Sequence, residues 1–305
     1  MDGTNALGDF LRARRGLVRP EDVGLRSGGL RRVPGLRREE VAMLAGISSD
    51  YYLRLEQGRD RNPSVQVLEA VARVLGLDAD ATAYLLALTQ PRPSGAGPAG
   101  GGRSRSAGRG RGAAALAAVP VSILQLIDGW SDHPAYVQSK LTDVLAVNRL
   151  CAALSPNYAV GVNLLRAVFL DPAERELRRD WEEATEEAVA TLRARVGPDV
   201  DDPALRELVG ELSVRSDRFR RLWARHDVRP RHGLVRRLRH PRVGDIELHS
   251  DKLTIDGTEG LTLVVFHTEP GSRSAEQLKI LGSLAAPAHD QETDRAPDGG
   301  RAPEP

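Results

Sequence analysis

Between Leu7 and Leu88 the apolar residues recur three and four positions apart, and five segments carry that spacing. Leu7, Phe10 and Leu11 mark the first, Val41, Leu44 and Ala45 the second, and Tyr52 and Leu55 the third. Val67, Leu68, Val71, Ala72 and Leu75 mark the fourth, and Tyr84, Leu85 and Leu88 the fifth. The pattern predicts an all-α domain of five short helices over residues 1–90. Farther along the period changes. AYVQSK and DVLAVN read as short strands, Pro172 to Arg195 and Pro203 to His226 as helices, and LVRRLRHP, DIELHSDKLTI and LTLVVFHTEP return to strand character. Two early strands, a helical middle and three closing strands predict an α+β domain with an antiparallel sheet over residues 119–284.

The two patterns are separated by PRPSGAGPAGGGRSRSAGRGRG, which holds Gly, Pro, Ser and Arg, no acid and almost nothing apolar. Such a stretch cannot bury a core, so residues 91–118 are expected to be a flexible linker with a reach of roughly 25–30 Å. Its arginines either add weak phosphate contacts or are simply solvated. The tail, residues 285–305, is rich in Pro, Gly and charge and is expected to be disordered.

Within REEVAMLAGISSDYYLRLEQGR the spacing is that of a helix-turn-helix. Ala42 is small where two helices would cross, and Gly46 stands where the turn needs a positive φ. Ile47, Tyr52 and Leu55 supply the apolar contacts that fix the crossing, Ser48 or Ser49 caps the second helix, and Gly58 ends it. The residues such a helix presents to a major groove are Ser49, Asp50, Tyr51 and Arg54. Arg54 has the donor fork for guanine O6 and N7, Asp50 an acceptor for cytosine N4, Ser49 a hydroxyl for base or phosphate, and Tyr51 a ring for a thymine methyl. Asp50 is equally read as stabilising the helix N-terminus. Arg37, Arg38, Arg59 and Arg61 flank the motif as phosphate contacts, with a solvated surface position as the alternative for each.

The segment LRREEVAMLAGISSDYYLRLEQGRDRNPSVQVLEAVARVLGL resembles the DNA-binding domain of XRE-type (Cro/cI-like) repressors. The long insertion LVRPEDVGLRSGGLRRVPGLRREEVA narrows the resemblance to the MmyB-like regulators and brings Arg26, Arg31 and Arg32 near the DNA side, as contacts or as a structural loop. NLLRAVFLDPAERELRRDWEEATEEAVATLRA, ALRELVGELSVRSDRFRRLWARHDV and RLRHPRVGDIEL are similar to that family's C-terminal domain. The resemblance implies a lambda-repressor-like N-terminal domain and a PAS-like C-terminal domain that binds a small apolar, fatty-acid-like ligand. In DVLAVNRLCAAL, Val147 stands where the family usually has Trp. Pocket candidates among the apolar residues of the second domain are Val144, Leu165, Phe169, Trp181, Trp223, Val264 and Phe266, ordinary core packing being the alternative for each.

Composition trims the remaining possibilities. The chain has 305 residues, 41% hydrophobic and 28% charged, the balance of a folded globular protein. A formal net charge of +1 means that any hold on DNA comes from a local cluster of arginines, not from the field of the whole molecule. One cysteine, Cys151, allows no internal disulfide and fits a reducing cytoplasm; it reads as a redox sensor or as an ordinary semi-buried residue. With no signal-peptide core at the N-terminus and no apolar run of about 18 residues, a cytoplasmic protein without membrane insertion is expected. His226, His232, His240, His249 and His267 lack metal-ligand spacing, and His226 beside Asp227 has no nucleophile elbow to serve, so no metal, cofactor or catalysis is expected. The reading is a ligand-responsive, DNA-binding transcription regulator acting as a homodimer. The alternatives are a regulator whose second domain is a protein-interaction platform without ligand, and an enzyme tethered to a DNA-binding head.

Overall fold

The computed structural model describes residues 5–25, 34–60, 62–89, 119–197, 202–228 and 234–285. The expected linker, the tail beyond Ala285, and Arg26, Arg31, Arg32 and Arg61 lie outside the described residues. Five helices form the first domain: α1 (Ala6–Leu17), α2 (Arg38–Ala45), α3 (Ser49–Glu56), α4 (Val65–Val74) and α5 (Ala79–Ala87). A 3₁₀ turn, Pro20–Val23, follows α1. Their apolar stripes meet in one core of Phe10, Leu11, Leu36, Val41, Tyr52, Leu55, Leu68, Val71 and Leu85. Each such side chain contributes about 1.5–3 kcal/mol by leaving water.

Local chemistry sets the helix ends. Gly46 terminates α2 at φ 69°, where a side chain would be strained. Ser48 then caps α3, its Oγ accepting from the Tyr51 amide at 3.1 Å. Gly58 follows α3 at φ 65°, and a Cβ there would stand 2.5 Å from Asn5 Oδ1. That closeness matters because Asn5 Nδ2 donates to the Glu56 carbonyl at 2.8 Å, tying the chain before α1 to the end of α3.

The second domain begins with α6 (Val121–Asp128) and contains β1 (Ala135–Gln138), β2 (Val144–Val147), α7 (Arg149–Leu154), α8 (Leu164–Leu170), α9 (Pro172–Leu177), α10 (Trp181–Val196), α11 (Pro203–Arg215), α12 (Asp217–Ala224), β3 (Leu234–His240), β4 (Gly244–Thr254), β5 (Thr262–His267) and α13 (Arg273–Ala285). The strands form an antiparallel sheet in the order β2-β1-β5-β4-β3. Period-two alternation divides its faces. Ala135, Val137, Leu145 and Leu263 pack on α6 through Ile127 and Ile123. Tyr136, Leu248, Val264 and Phe266 point the other way, toward Leu150 and Leu154 of α7 and Leu278 and Leu281 of α13. A third cluster, including Leu165, Val189, Leu192, Leu208, Leu212 and Phe219, joins α8, α10, α11 and α12.

Three features differ from the pattern reading. The helix expected over Pro172 to Arg195 is broken at Arg178–Asp180, because this segment pairs with the edge strand β3. Arg178 bridges Leu238, the Arg179 amide donates to the Arg237 carbonyl at 2.9 Å, and Asp180 Oδ2 accepts from the Arg237 amide at 3.3 Å. Covering an open sheet edge outweighs helix continuity there. The helix expected over Pro203 to His226 is interrupted at Ser216, whose extended backbone ends α11 and whose Oγ caps α12 at the Phe219 amide, 3.2 Å away. Helix α13, unforeseen in the pattern, crosses the sheet and reaches Ala285, the first residue of the expected tail.

Candidate DNA interface and ligand cavity

Helix α3 presents Ser49, Asp50 and Arg54 to solvent, with Tyr51 half-buried beside them. Each of the four is thus at least partly accessible. The Arg54 guanidinium carbon lies 5.4 Å from the Tyr51 ring centroid, a cation–π arrangement that holds both side chains over the helix. Burial, reinforced by Asp60, raises the Tyr51 hydroxyl above its ordinary pKa and keeps it a neutral donor. Asp50 lies in the first turn of α3, where the macrodipole favours its charge. Arg37 and Arg38 stand at the exposed start of α2 and Arg59 just after α3.

Behind this surface sits an ion cluster that pattern reading did not find. Glu56, at the end of α3, is 0% exposed. Arg15 Nε of α1 donates to its Oε1 at 2.7 Å and Arg38 Nε of α2 to its Oε2 at 2.6 Å. Burial works to raise the Glu56 carboxyl, but the hydrogen bonds from Arg15 and Arg38 outweigh it and hold the group below the usual carboxylate range. Arg12 and Asn5 donate to the Glu56 carbonyl. Helices α1 and α2 are thus both locked to the C-terminus of α3. Arg38 keeps a side chain 43% exposed, so its Nε serves the fold while the rest of its guanidinium stays accessible.

In the second domain a cavity of about 100 Å³ lies between the sheet and α8 and α10. Of the apolar candidates, Leu165, Val264 and Phe266 line it. Val144 packs in the sheet core, and Phe169 and Trp223 in the helical cluster, where Phe219 contacts both rings. Trp181 donates from Nε1 to the Val168 carbonyl at 2.8 Å and lies between Arg175 and Arg218. Val147 borders a separate groove against α6 with Leu124, Ile127 and Val160, not this cavity.

The cavity wall carries charge as well as hydrocarbon. Arg178, Arg195, Arg236 and Lys252 line it together with one carboxylate, Glu187. Arg236 grips Glu187 through two 2.8 Å hydrogen bonds, and Lys252 Nζ is 3.5 Å from the same carboxylate. Arg178 is matched by Glu174 at 2.8 Å. Arg195 has no carboxylate partner among the described residues; its Nη1 donates weakly to the Ser139 carbonyl at 3.4 Å, and with the Gln138 amide turned its guanidinium reaches Oε1 at 3.1 and 3.2 Å. Burial lowers the Arg195 pKa, the sign of a desolvated cation. The hydroxyls of Thr142, Thr191 and Ser250, all on the wall, have no hydrogen-bond partner among the described residues. Buried Cys151 is not on this wall, and burial pushes its thiol well up, away from the thiolate a redox sensor needs. No group of three metal-ligating side chains occurs among the described residues, and no helix there is long and apolar enough to cross a membrane.

Two family models match separate parts of the chain. A model of the helix-turn-helix domain matches residues 6–85, and a model of the MmyB-like transcription regulator ligand binding domain matches residues 119–281. A curated relative, the uncharacterized HTH-type transcriptional regulator y4dJ of Sinorhizobium fredii (strain NBRC 101917 / NGR234), is 46% identical over 55 residues, which are 18% of this chain and 70% of that protein.

Proposed function

The chain belongs to the MmyB-like transcription regulators, and from that premise we propose that it binds a two-fold symmetric operator as a homodimer and releases or tightens it in response to a small, largely apolar acid. It is a DNA-binding transcription regulator with a ligand-binding domain. In the proposed complex Ser49, Asp50, Tyr51 and Arg54 read base edges, while Arg37, Arg38, Arg59 and Arg61 hold phosphates. The five-stranded antiparallel sheet supports the PAS-like reading of the second domain. The proposed site of action is the cytoplasm, where the DNA is.

The ligand reading is carried by one observation, the mixed wall of the cavity. Leu165, Val264 and Phe266 offer an apolar bed, and beside them stands Arg195, without a carboxylate partner among the described residues. A wholly apolar occupant would remove Arg195 further from water with nothing in exchange, at a cost of several kcal/mol for a desolvated charge. An occupant with an acidic end supplies the missing partner, and its acceptors also meet the free hydroxyls of Thr142, Thr191 and Ser250. A fatty-acid-like molecule has this chemistry.

The deciding experiment selects bound sequences from a random DNA pool with the full-length protein, with and without an organic extract of that protein. A symmetric consensus whose affinity changes with the extract supports the proposal. Native mass spectrometry of the same preparation identifies the occupant. A preparation that carries no small molecule but captures a protein partner through the second domain would replace the ligand by an interaction platform.

A further inference from the structure

We infer that helix α10 is the mechanical link between cavity and DNA-binding domain, with its last turn touching both. The inference rests on the ligand reading of the cavity. Ala184, Glu187, Ala188, Thr191 and Arg195 recur on one face of α10 and line the cavity. Leu192 borders it too, whereas Arg193 and Ala194 face elsewhere. Ala194 packs against the core of the first domain, as does Val228 just beyond α12. Arg193 is 4% exposed, with its guanidinium carbon 3.9 Å from the Trp223 ring centroid. Its Nη2 donates to the Trp223 carbonyl at 2.7 Å, its Nη1 meets His226 Nδ1 at 3.1 Å, and the Tyr84 hydroxyl on α5 is near enough to act electrostatically on its charge.

The contact continues into α1. The edge of the His226 ring meets Phe10, with centroids 6.3 Å apart and planes at 72°. Arg14 donates to Asp227 at 2.5 Å, and Arg225 pairs with both Asp227 and Glu186, closing the loop onto α10. The next residue of α1, Arg15, holds Glu56 at the end of the recognition helix. One contiguous set of contacts therefore runs from the cavity wall to the base-reading surface.

The cavity size supplies the force. A volume of about 100 Å³ is well below the roughly 300–1,000 Å³ of pockets that enclose a small molecule, so an occupant must move a wall. The sheet wall is pinned by ladders on both sides of β5 and β4. Helix α10 is the wall that also reaches the first domain, and a close-packed helix that shifts carries its opposite face with it. His226 holds a left-handed φ of 53° at this contact, a strained backbone that docking must maintain.

Contiguity becomes coupling only when two sites change each other's energies, which a double-mutant cycle measures. The cycle uses the full-length chain and a selected operator, pairing Val264→Phe, which fills the cavity from β5, with Tyr84→Phe, which removes the hydroxyl from Arg193. Val264→Phe is expected to change operator Kd at least fivefold in the native background and less than twofold with Tyr84→Phe. Equal changes in both backgrounds, or none in either, overturn the inference. Ser250→Leu, filling from β4, replaces Val264→Phe if that variant does not unfold cooperatively. Titration with sodium dodecanoate separates the two ideas. No dodecanoate binding beside a non-zero cycle removes the acid reading and leaves the link; dodecanoate binding with the same operator shift in both backgrounds does the reverse.

Discussion

At the residue scale, the structure gives several arginines work that their exposure alone does not reveal. Arg54 is exposed and lies over the Tyr51 ring, so Arg54→Ala is expected to weaken operator binding by roughly 1–3 kcal/mol and to relax preference at one base pair. Competition binding with single-base operator variants checks this; an equal loss on operator and random DNA counts against base reading. Arg38 differs because its Nε is committed to buried Glu56. Arg38→Ala should weaken all sequences alike and flatten the salt dependence of binding, and it should also lower stability. Glu56→Ala is expected to be more damaging, by about 3–5 kcal/mol in denaturant unfolding, since it strands Arg15 at a largely buried site. A loss under about 1 kcal/mol would mean that water repairs the site.

At the element scale, what the sequence discloses depends on how local the cause is. The helices of the first domain were legible because caps, glycines and apolar spacing all act within a turn, as Ser48 and Gly46 do around α3. The five strands were legible as short runs of strand character bounded by turn residues. The breaks at Arg178–Asp180 and the charged cavity wall were not, because their partners are distant in sequence. Arg179 answers to Arg237, and Glu187 to Arg236, 49 positions on. Read in their strands, Arg236 and Lys252 look like solvent-facing alternates; only the packing of α10 over the sheet turns them inward. The segment after α12 carries its own test. Burial first, then the nearby Arg193 and Arg14 cations, lower the His226 pKa from 6.5 to about 3, while Asp227 and Arg225 stand beside it. The imidazole therefore stays neutral in the fold and protonates in the unfolded chain. Its share of stability is present above pH 6.5 and is lost as pH falls toward 3, at up to about 1.4 kcal/mol per pH unit. Thermal unfolding between pH 7 and pH 4.5 should show this slope, and His226→Asn, which tolerates a positive φ, should reduce it. An unchanged slope would place the acid sensitivity elsewhere.

At the scale of the whole molecule, a net charge of +1 leaves little long-range attraction to a polyanion, so affinity must come from contacts made at the surface of α2 and α3. On the proposed reading, Arg37, Arg38, Arg59 and Arg61 would give one copy few phosphates to hold. Two copies double them, and a two-fold pair spaces its recognition helices by about one turn of B-DNA. A dimer with six to eight such contacts should show a slope of log K against log salt of roughly −5 to −7, and a single copy about half of that. Spacing discriminates more sharply than the slope. Inserting about half a helical turn between half-sites puts the second site on the opposite face of the duplex, so affinity should fall to that of an isolated half-site. Inserting a full turn restores the facing and tests how far the two first domains can separate. Anisotropy titrations on these three operators measure it. Affinity that ignores spacing, with the shallower salt slope, would show that one copy reads one site, and regulation would then act within the chain, through the contact of Arg193 and Tyr84, without a dimer.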